Sequence, residues 1–412
     1  MRVLVLSLVT CLFVLPANAK YGGGAGTDAD PYRIYTAEHM NEIGANPADW
    51  DKHFKLMADI DLGAYTARAF NIIGRGSPFE AVSNPFSGVF DGNSHTISNF
   101  TYTSTGVNAV AIFGNVSGVS AKIMNLKLVT ADVRAGSGDY VGALAGVLRY
   151  GVITGCRIER GEVSGRLCVG GLVGLNEGTV IDCCSSGSVW GDWYVGGLVG
   201  EAGKGKTTKC YSTATVSGNN QVGGLVGRTI DETSAVTNSY ATGSVQADMY
   251  VGGLVGQIER GAAFNCFSAG KVLGNQYVGG LTGYVRPLGN VLHCFWDTQA
   301  SGMFISAGGT GKTTAEMQML STFFSVAWDF YTIWTICEGV NYPVLRWQIP
   351  PGDFRCPDGV TIIDLAWFAQ HWLDEHCFSA NSYCEGVDLD QSSVVDFADF
   401  AIFADNWLTG MR

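Results

Sequence analysis

Charge is scarce in this chain: Asp, Glu, Lys and Arg make up only 15% of its 412 residues. The basic residues form no stripe, which excludes a nucleic-acid surface that tracks phosphate. Six histidines occur, at 39, 53, 95, 293, 371 and 376, and no two have the H-E-x-x-H spacing that presents zinc ligands on one helix face. No G-x-S-x-G elbow exposes a nucleophilic serine, and no C-x-x-C pair or adjacent histidine offers a metal site. Beyond the first 19 residues, no apolar run approaches the roughly 20 residues that a transmembrane helix needs.

The first 19 residues have a different shape. Arg2 gives a positive start, LVLSLVTCLFVLP an apolar core, and Ala17-Asn18-Ala19 a small-x-small site before Lys20. Residues 1–19 are therefore expected to be a signal peptide cleaved near Ala19, with the mature protein secreted or at the cell surface. The net charge of −12 sits mostly at the other end: from Pro351 to Arg412, eleven acids face two arginines, a local balance of −9. Glycine is abundant, at 56 residues, which implies many tight turns and closely stacked backbones.

Self-similarity organises the middle of the chain. YVGALAG from Tyr140, CVGGLVG from Cys168, YVGGLVG from Tyr194, QVGGLVG from Gln221, YVGGLVG from Tyr250 and YVGGLTG from Tyr277 place valines at 141, 169, 195, 222, 251 and 278, spaced by 28, 26, 27, 29 and 27 residues. Between them run short alternating segments such as CYSTATVSG and SYATGSVQA, a strand pattern with turn residues at its ends. A unit this short cannot bury its apolar face alone, so units must stack. The expected fold class is all-β: a parallel β-helix, or β-solenoid, with Val and Leu ladders inside and the glycine pairs at corners. Cys183, Cys210 and Cys266 each precede a repeat valine by twelve residues, Ser239 takes that place once, and Cys294 continues the column. Buried thiols are the expected reading, with disulfides between adjacent rungs sterically open. Eleven cysteines follow the leader, so at least one is unpaired within the chain.

The G-L-V-G core at this period resembles the GLUG repeat of bacterial surface and secreted proteins, including the non-catalytic part of some immunoglobulin-A peptidases. ADIDLG from Ala58, FSGVFDGNSHTISNF from Phe86 and IFGNVSG from Ile112 match what precedes such repeats, so the resemblance covers residues 21–347. It implies a right-handed solenoid and no reaction. The expected division is an N-terminal cap and first coils at 20–135, with a short helix from Thr36, the repeats at 136–300, and a C-terminal cap at 301–347. GGTGKTT, Gly308 to Thr314, imitates a phosphate-binding loop, but Ser306 occupies a position that needs glycine. With the secretory route and the all-β repeat upstream, no nucleotide is expected; Thr313 and Glu316 have capping-box spacing instead.

After a linker at 348–352 the period changes. IDLAWFAQHWL from Ile363 and ADFAIFADNWL from Ala398 align at an offset of 35, each an amphipathic helix after an acidic loop. In the second loop, Asp388, Asp390, Ser392, Asp396 and Asp399 take positions 1, 3, 5, 9 and 12, with the Val394 carbonyl at 7, the spacing that wraps calcium in an EF-hand loop. The first loop is degenerate: Asp353, Thr361, Asp364 and the Gly359 carbonyl keep their places, Asp358 is a substitute ligand, and Arg355 and Pro357 interrupt the set. Paired loop-helix units resemble the type I dockerin, here over residues 353–412, which implies calcium as cofactor and a cohesin-type protein as partner. Ser393 replaces the usual turn glycine, and Cys356, Cys377 and Cys384 are additions expected to supply one disulfide in the connector, its pairing open.

No column of the repeat keeps a carboxylate over successive turns, and the twelve acids and eleven basic residues from Asp139 to Asp297 are scattered. The expected function is therefore a secreted, non-catalytic scaffold or adhesion-type protein that binds polysaccharide or a cell surface and is tethered through the calcium module. The alternative is a polysaccharide lyase or glycoside hydrolase carrying the same module. Trp190, Trp193, Tyr194, Tyr211, Tyr240, Tyr250 and Tyr277 are either platforms for sugar rings or cover for coil edges.

Overall fold

A computed structural model describes residues 20–76, 83–356, 359–378 and 382–409. The leader at 1–19 and Asp358 lie outside the described residues. The chain winds into a parallel β-solenoid, with one sheet of 13 strands and another of 19 among the described residues. Val141 pairs with Val169, and the register continues through Val195, Val222, Val251 and Val278. One sequence period is thus one coil.

The repeat core marks a corner between the two sheets. Its first valine lies in the larger sheet, while the second, as in Val173, Val199, Val226 and Val255, climbs the smaller one. The leucines between them, Leu172, Leu198, Leu225 and Leu254, are wholly buried. Glycine is required there by close approach: a Cβ on Gly223 would lie 2.0 Å from the Val226 carbonyl oxygen and 2.7 Å from the Gly256 nitrogen.

The residue before each repeat valine is a surprise. Tyr140, Cys168, Tyr194, Gln221, Tyr250 and Tyr277 all have φ between 50° and 60°, a region that bulky L-residues rarely adopt. Contacts along the column accompany the strained backbone: the Arg228 guanidinium lies 3.5 Å from the Tyr194 ring centre, Tyr250 stacks on Tyr277 at 4.8 Å, and Gln221 donates to Gln257 at 2.9 Å.

The thiol column runs through the interior and includes Cys156, one coil earlier than the sequence spacing suggests. Each side chain donates to the carbonyl two residues back, as Cys183 does to Ile181 at 3.1 Å and Ser239 to Thr237 at 2.7 Å. Serine replaces cysteine because both supply the same short donor. No disulfide joins these rungs, and all seven free cysteines among the described residues are buried.

The two ends of the solenoid differ. Helix α1 (Ala37–Ala45) starts at Thr36, whose hydroxyl accepts from the His39 N–H, and it buries Met40 and Ile43 in the first coils. At the other end, the strand Thr282–Leu292 pairs with Val255–Phe264, and residues 284–292 meet no further strand among the described residues. Of the segment expected to cap that end, residues 305–312 stack on the last coil, the Ile305 carbonyl accepting from Gly280, Ala307 donating to Thr282 and Thr310–Lys312 pairing with Phe295–Asp297, whereas the residues that follow lie along the side. Trp328 donates its indole N–H to the His293 carbonyl at 3.0 Å, Gln348 donates to the Tyr240 hydroxyl at 2.8 Å, and Trp347 donates to the Lys209 carbonyl at 2.8 Å. Those partners belong to different coils, so the segment runs lengthwise over them. It covers an outward ladder of rings, Tyr211 on Tyr240 at 5.1 Å and Tyr240 on Phe267 at 4.9 Å, that would otherwise face water. Within GGTGKTT, Thr310–Lys312 is a strand paired with Phe295–Asp297, the Lys312 ammonium meets Glu316 at 3.2 Å, and Thr313 and Glu316 close a capping box over the four-residue helix Thr314–Met317.

The C-terminal module packs α2 (Ile362–Gln370) and α3 (Phe397–Asp405) through Phe368 and Phe403, whose rings lie 5.4 Å apart. Two disulfides replace the expected one. Cys377 bridges Cys384 within the connector, whereas Cys356 reaches Cys337 in the lateral segment. The second bridge was invisible from the tail because its partner lies outside it.

Candidate metal centre

Each helix of the module begins on the same device. Asp396 caps α3 by accepting the Ala398 N–H at 2.7 Å, and Asp399 reaches back to accept the Asp396 N–H at 2.9 Å. Thr361 and Asp364 repeat this at α2, where Asp364 accepts the Thr361 N–H at 2.9 Å. The other oxygen of each aspartate draws in the start of its loop: Asp399 accepts from Leu389 and Asp390 at 2.6 and 3.0 Å, and Asp364 accepts from Phe354 and Arg355 at 2.7 and 3.2 Å. The 35-residue offset in sequence is therefore a repeated hydrogen-bond pattern.

In the second loop this folding brings Asp388, Asp390 and Asp399 together, with one carboxylate oxygen of each within 4.8 Å of the others. Asp388 and Asp399 are buried, Asp390 exposed. Among the described residues none of the three enters an ion pair; what they receive is backbone N–H, as when Ser392 and Ser393 donate to Asp388 at 3.0 Å each. Burial pushes the Asp388 carboxyl above its ordinary range, the loop N–H groups oppose that, and the neighbouring Asp399 charge adds to it. Three converging acids without a counter-charge suit a hard divalent cation, which takes carboxylate oxygens and neutralises them together. Of the other expected ligands, Ser392 donates to the Val394 carbonyl at 3.2 Å, and Asp396 is engaged as the helix cap. Ser393 has φ 80°, the conformation for which a glycine is usual.

The first loop has the frame without the acids. Asp353 accepts the Gly359 N–H at 3.0 Å, and the Thr361 hydroxyl donates to Asp364 at 3.0 Å. Arg355, at the position matching Asp390, places its guanidinium 4.2 Å from the Trp367 ring centre. Among the described residues no cluster of three potential ligands forms there. That cation–π contact was not read from the sequence, although both residues stand in the aligned repeat.

The aromatic candidates divide. Tyr211 and Tyr240 lie under the lateral segment and are cover, whereas Trp190 and Trp193 are 48% and 44% exposed. No helix among the described residues is long and apolar enough to cross a membrane.

Residues 191–217 and 218–246 match the GLUG motif, so two consecutive coils of the solenoid are GLUG repeats. Halomucin of Haloquadratum walsbyi (strain DSM 16790 / HBSQ001) is 35% identical over 170 residues, 40% of this chain and 2% of that protein. A provisionally named Gly-rich membrane protein of Evansella cellulosilytica is 35% identical over 146 residues, 35% of this chain and 16% of the relative. The chain thus spans a small part of the curated relatives it matches. Among solved structures, a provisionally assigned immunoglobulin A1 protease from Bacteroides ovatus aligns at 24% identity over 79% of this chain and 95% of that one, with a TM-score of 0.48.

Proposed function

We propose that this protein is an exported, non-catalytic scaffold whose GLUG solenoid presents a recognition surface for polysaccharide or a cell surface, and whose C-terminal module is a calcium-loaded, dockerin-like tether for a cohesin-type receptor. The observation that carries the tether is the uncompensated cluster of Asp388, Asp390 and Asp399. Ser392, Val394 and Asp396 would complete the oxygen shell once the cation draws them from their present hydrogen bonds, and Asp353, Asp358, Gly359, Thr361 and Asp364 form the weaker first site. Exposed apolar residues support docking: Ile362 and Phe397, related by the repeat, are 67% and 77% exposed, and Leu373 and Leu408 form a second such pair. Two disulfides fit an oxidising compartment, as does the leader-like sequence at 1–19.

Calcium titration of the full chain, by calorimetry and by thermal unfolding against EDTA, tests the tether. Saturating calcium at a hundredfold excess over Kd is expected to stabilise the module by about 2.7 kcal/mol, and Asp388→Asn to abolish most of that gain. No heat and no shift in unfolding would remove calcium from the account.

A further inference from the structure

Beside the lateral segment, the solenoid carries a cleft of about 450 Å³ bounded by Asn125, Lys127, Arg157, Glu159, Asp182 and Trp347. Two of its groups are left with chemistry to satisfy. Arg157 lies with its guanidinium 5.0 Å from the Trp347 ring centre and takes neither nearby carboxylate: Glu159 is held by Lys127 at 2.9 Å, and Asp182 faces Lys209 at 4.0 Å. Trp347 is itself fixed by its indole N–H on the Lys209 carbonyl and by the Tyr211 ring at 5.6 Å. The guanidinium fork is thus pre-oriented, with its donors uncommitted to any acid.

Asp182 supplies an independent observation. It sits at φ 53° on a turn of the solenoid; its Oδ1 faces the Lys209 ammonium at 4.0 Å and accepts no hydrogen bond, while the side chain as a whole keeps 32% of its surface exposed. Burial pushes its carboxyl above the ordinary range, with Lys209 opposing. The exposed part of this carboxylate, with only one distant cation beside it, can still accept from a hydroxyl donor in the cleft. Glu159 and Asp182 would repel a dianionic phosphate, whereas a single carboxylate on a hydroxyl-rich ring offers one charge to Arg157 and donors to Asp182.

We propose that this cleft binds an acidic saccharide of the uronate class, its carboxylate on Arg157 and its ring hydroxyls on Asp182 and Asn125. This deepens the recognition half of the function above and does not depend on calcium. The cleft exists only because the lateral segment lies along the coils, with Trp347 as its outer wall.

Calorimetric titration of the full chain with tetragalacturonate, its methyl ester and cellotetraose tests the proposal. The acid is expected to bind, with the ester weaker by at least about tenfold, the discrimination of one charged hydrogen-bonding partner. Arg157→Gln and Asp182→Asn are each expected to weaken the acid by a similar factor at an unchanged thermal midpoint. Should Arg157→Gln unfold, Arg157→Lys keeps the charge over Trp347 while removing the fork, and a loss of affinity there serves equally. Equal binding of acid and ester, or binding indifferent to both Arg157 variants, overturns the site. If cellotetraose alone binds, the recognition reading survives and this cleft does not. If none of the three binds, saccharide recognition falls with it.

Discussion

Glu201 and Asp388 are both carboxylates almost wholly removed from water, yet they are satisfied in opposite ways. Glu201 faces Arg228 at 2.6 Å, and Arg228 in turn lies over Tyr194; Asp388 has loop N–H groups and other acids around it. Burial raises the Glu201 carboxyl above its usual value despite the opposing Arg228 charge. A raised folded-state value means that ionising Glu201 costs stability, a cost absent at low pH and growing as pH rises above about 4.3, the ordinary glutamate value. The stability of Glu201→Gln relative to the parent is therefore expected to improve between pH 4 and pH 7, measured by urea unfolding; a change in the parent's favour would contradict the assignment. Ser393 carries the other residue-scale cost. At φ 80°, Ser393→Gly is expected to stabilise the module by about 1 kcal/mol, seen as a higher unfolding midpoint in EDTA.

Corners and ladders are the elements that make the solenoid. A repeat core turns the chain from one sheet to the other at a point where the next coil's backbone passes within contact of the glycine. Gly223→Ala is expected to destabilise the solenoid by about 3 kcal/mol or more, because backbone rather than a flexible side chain occupies the space; an unchanged thermal midpoint would mean that the corner yields. The period and the alternating pattern made these elements legible, and the valine ladder has the register that the spacings imply. What could not be read was the left-handed backbone at Tyr140, Tyr194 and Tyr250. Residue preference argues against tyrosine there, and only tertiary contacts, such as Tyr250 stacked on Tyr277 and the Arg228 guanidinium over Tyr194, place a favourable contact beside it.

On the scale of the molecule, the fold treats its two ends differently. The N-terminal end is covered by α1, whereas the last strand exposes its edge and relies on sequence to remain unpaired. Pro287 removes a backbone donor in that strand, and Arg286 stands beside it at a shift in register, a combination that discourages a further chain from adding on. Pro287→Val is expected to raise self-association, measured by light scattering at increasing concentration; monodisperse behaviour like the parent's would assign the protection elsewhere. The tail is tied to the solenoid by Cys337–Cys356 as well as by the chain, so the module is held close to the lateral segment.

The sequence by itself determined the coil, its period, its corner glycines, its buried thiols and the acidic loops, because each depends on spacing along one strand or one turn. Even the carboxylate cluster was legible, since Asp388, Asp390 and Asp399 lie within twelve residues of one another. Tertiary structure alone decided where residues 313–348 lie, which cysteine Cys356 meets, and which aromatic rings are left in water. The placement of the lateral segment joins residues more than a hundred positions apart, such as Lys209 with Trp347 and Tyr240 with Gln348, and the bridge from Cys356 to Cys337 crosses from the tail into that segment. No local pattern encodes such a pairing; it follows from an apolar segment covering the outward ladder of Tyr211, Tyr240 and Phe267 that the coils leave on their surface.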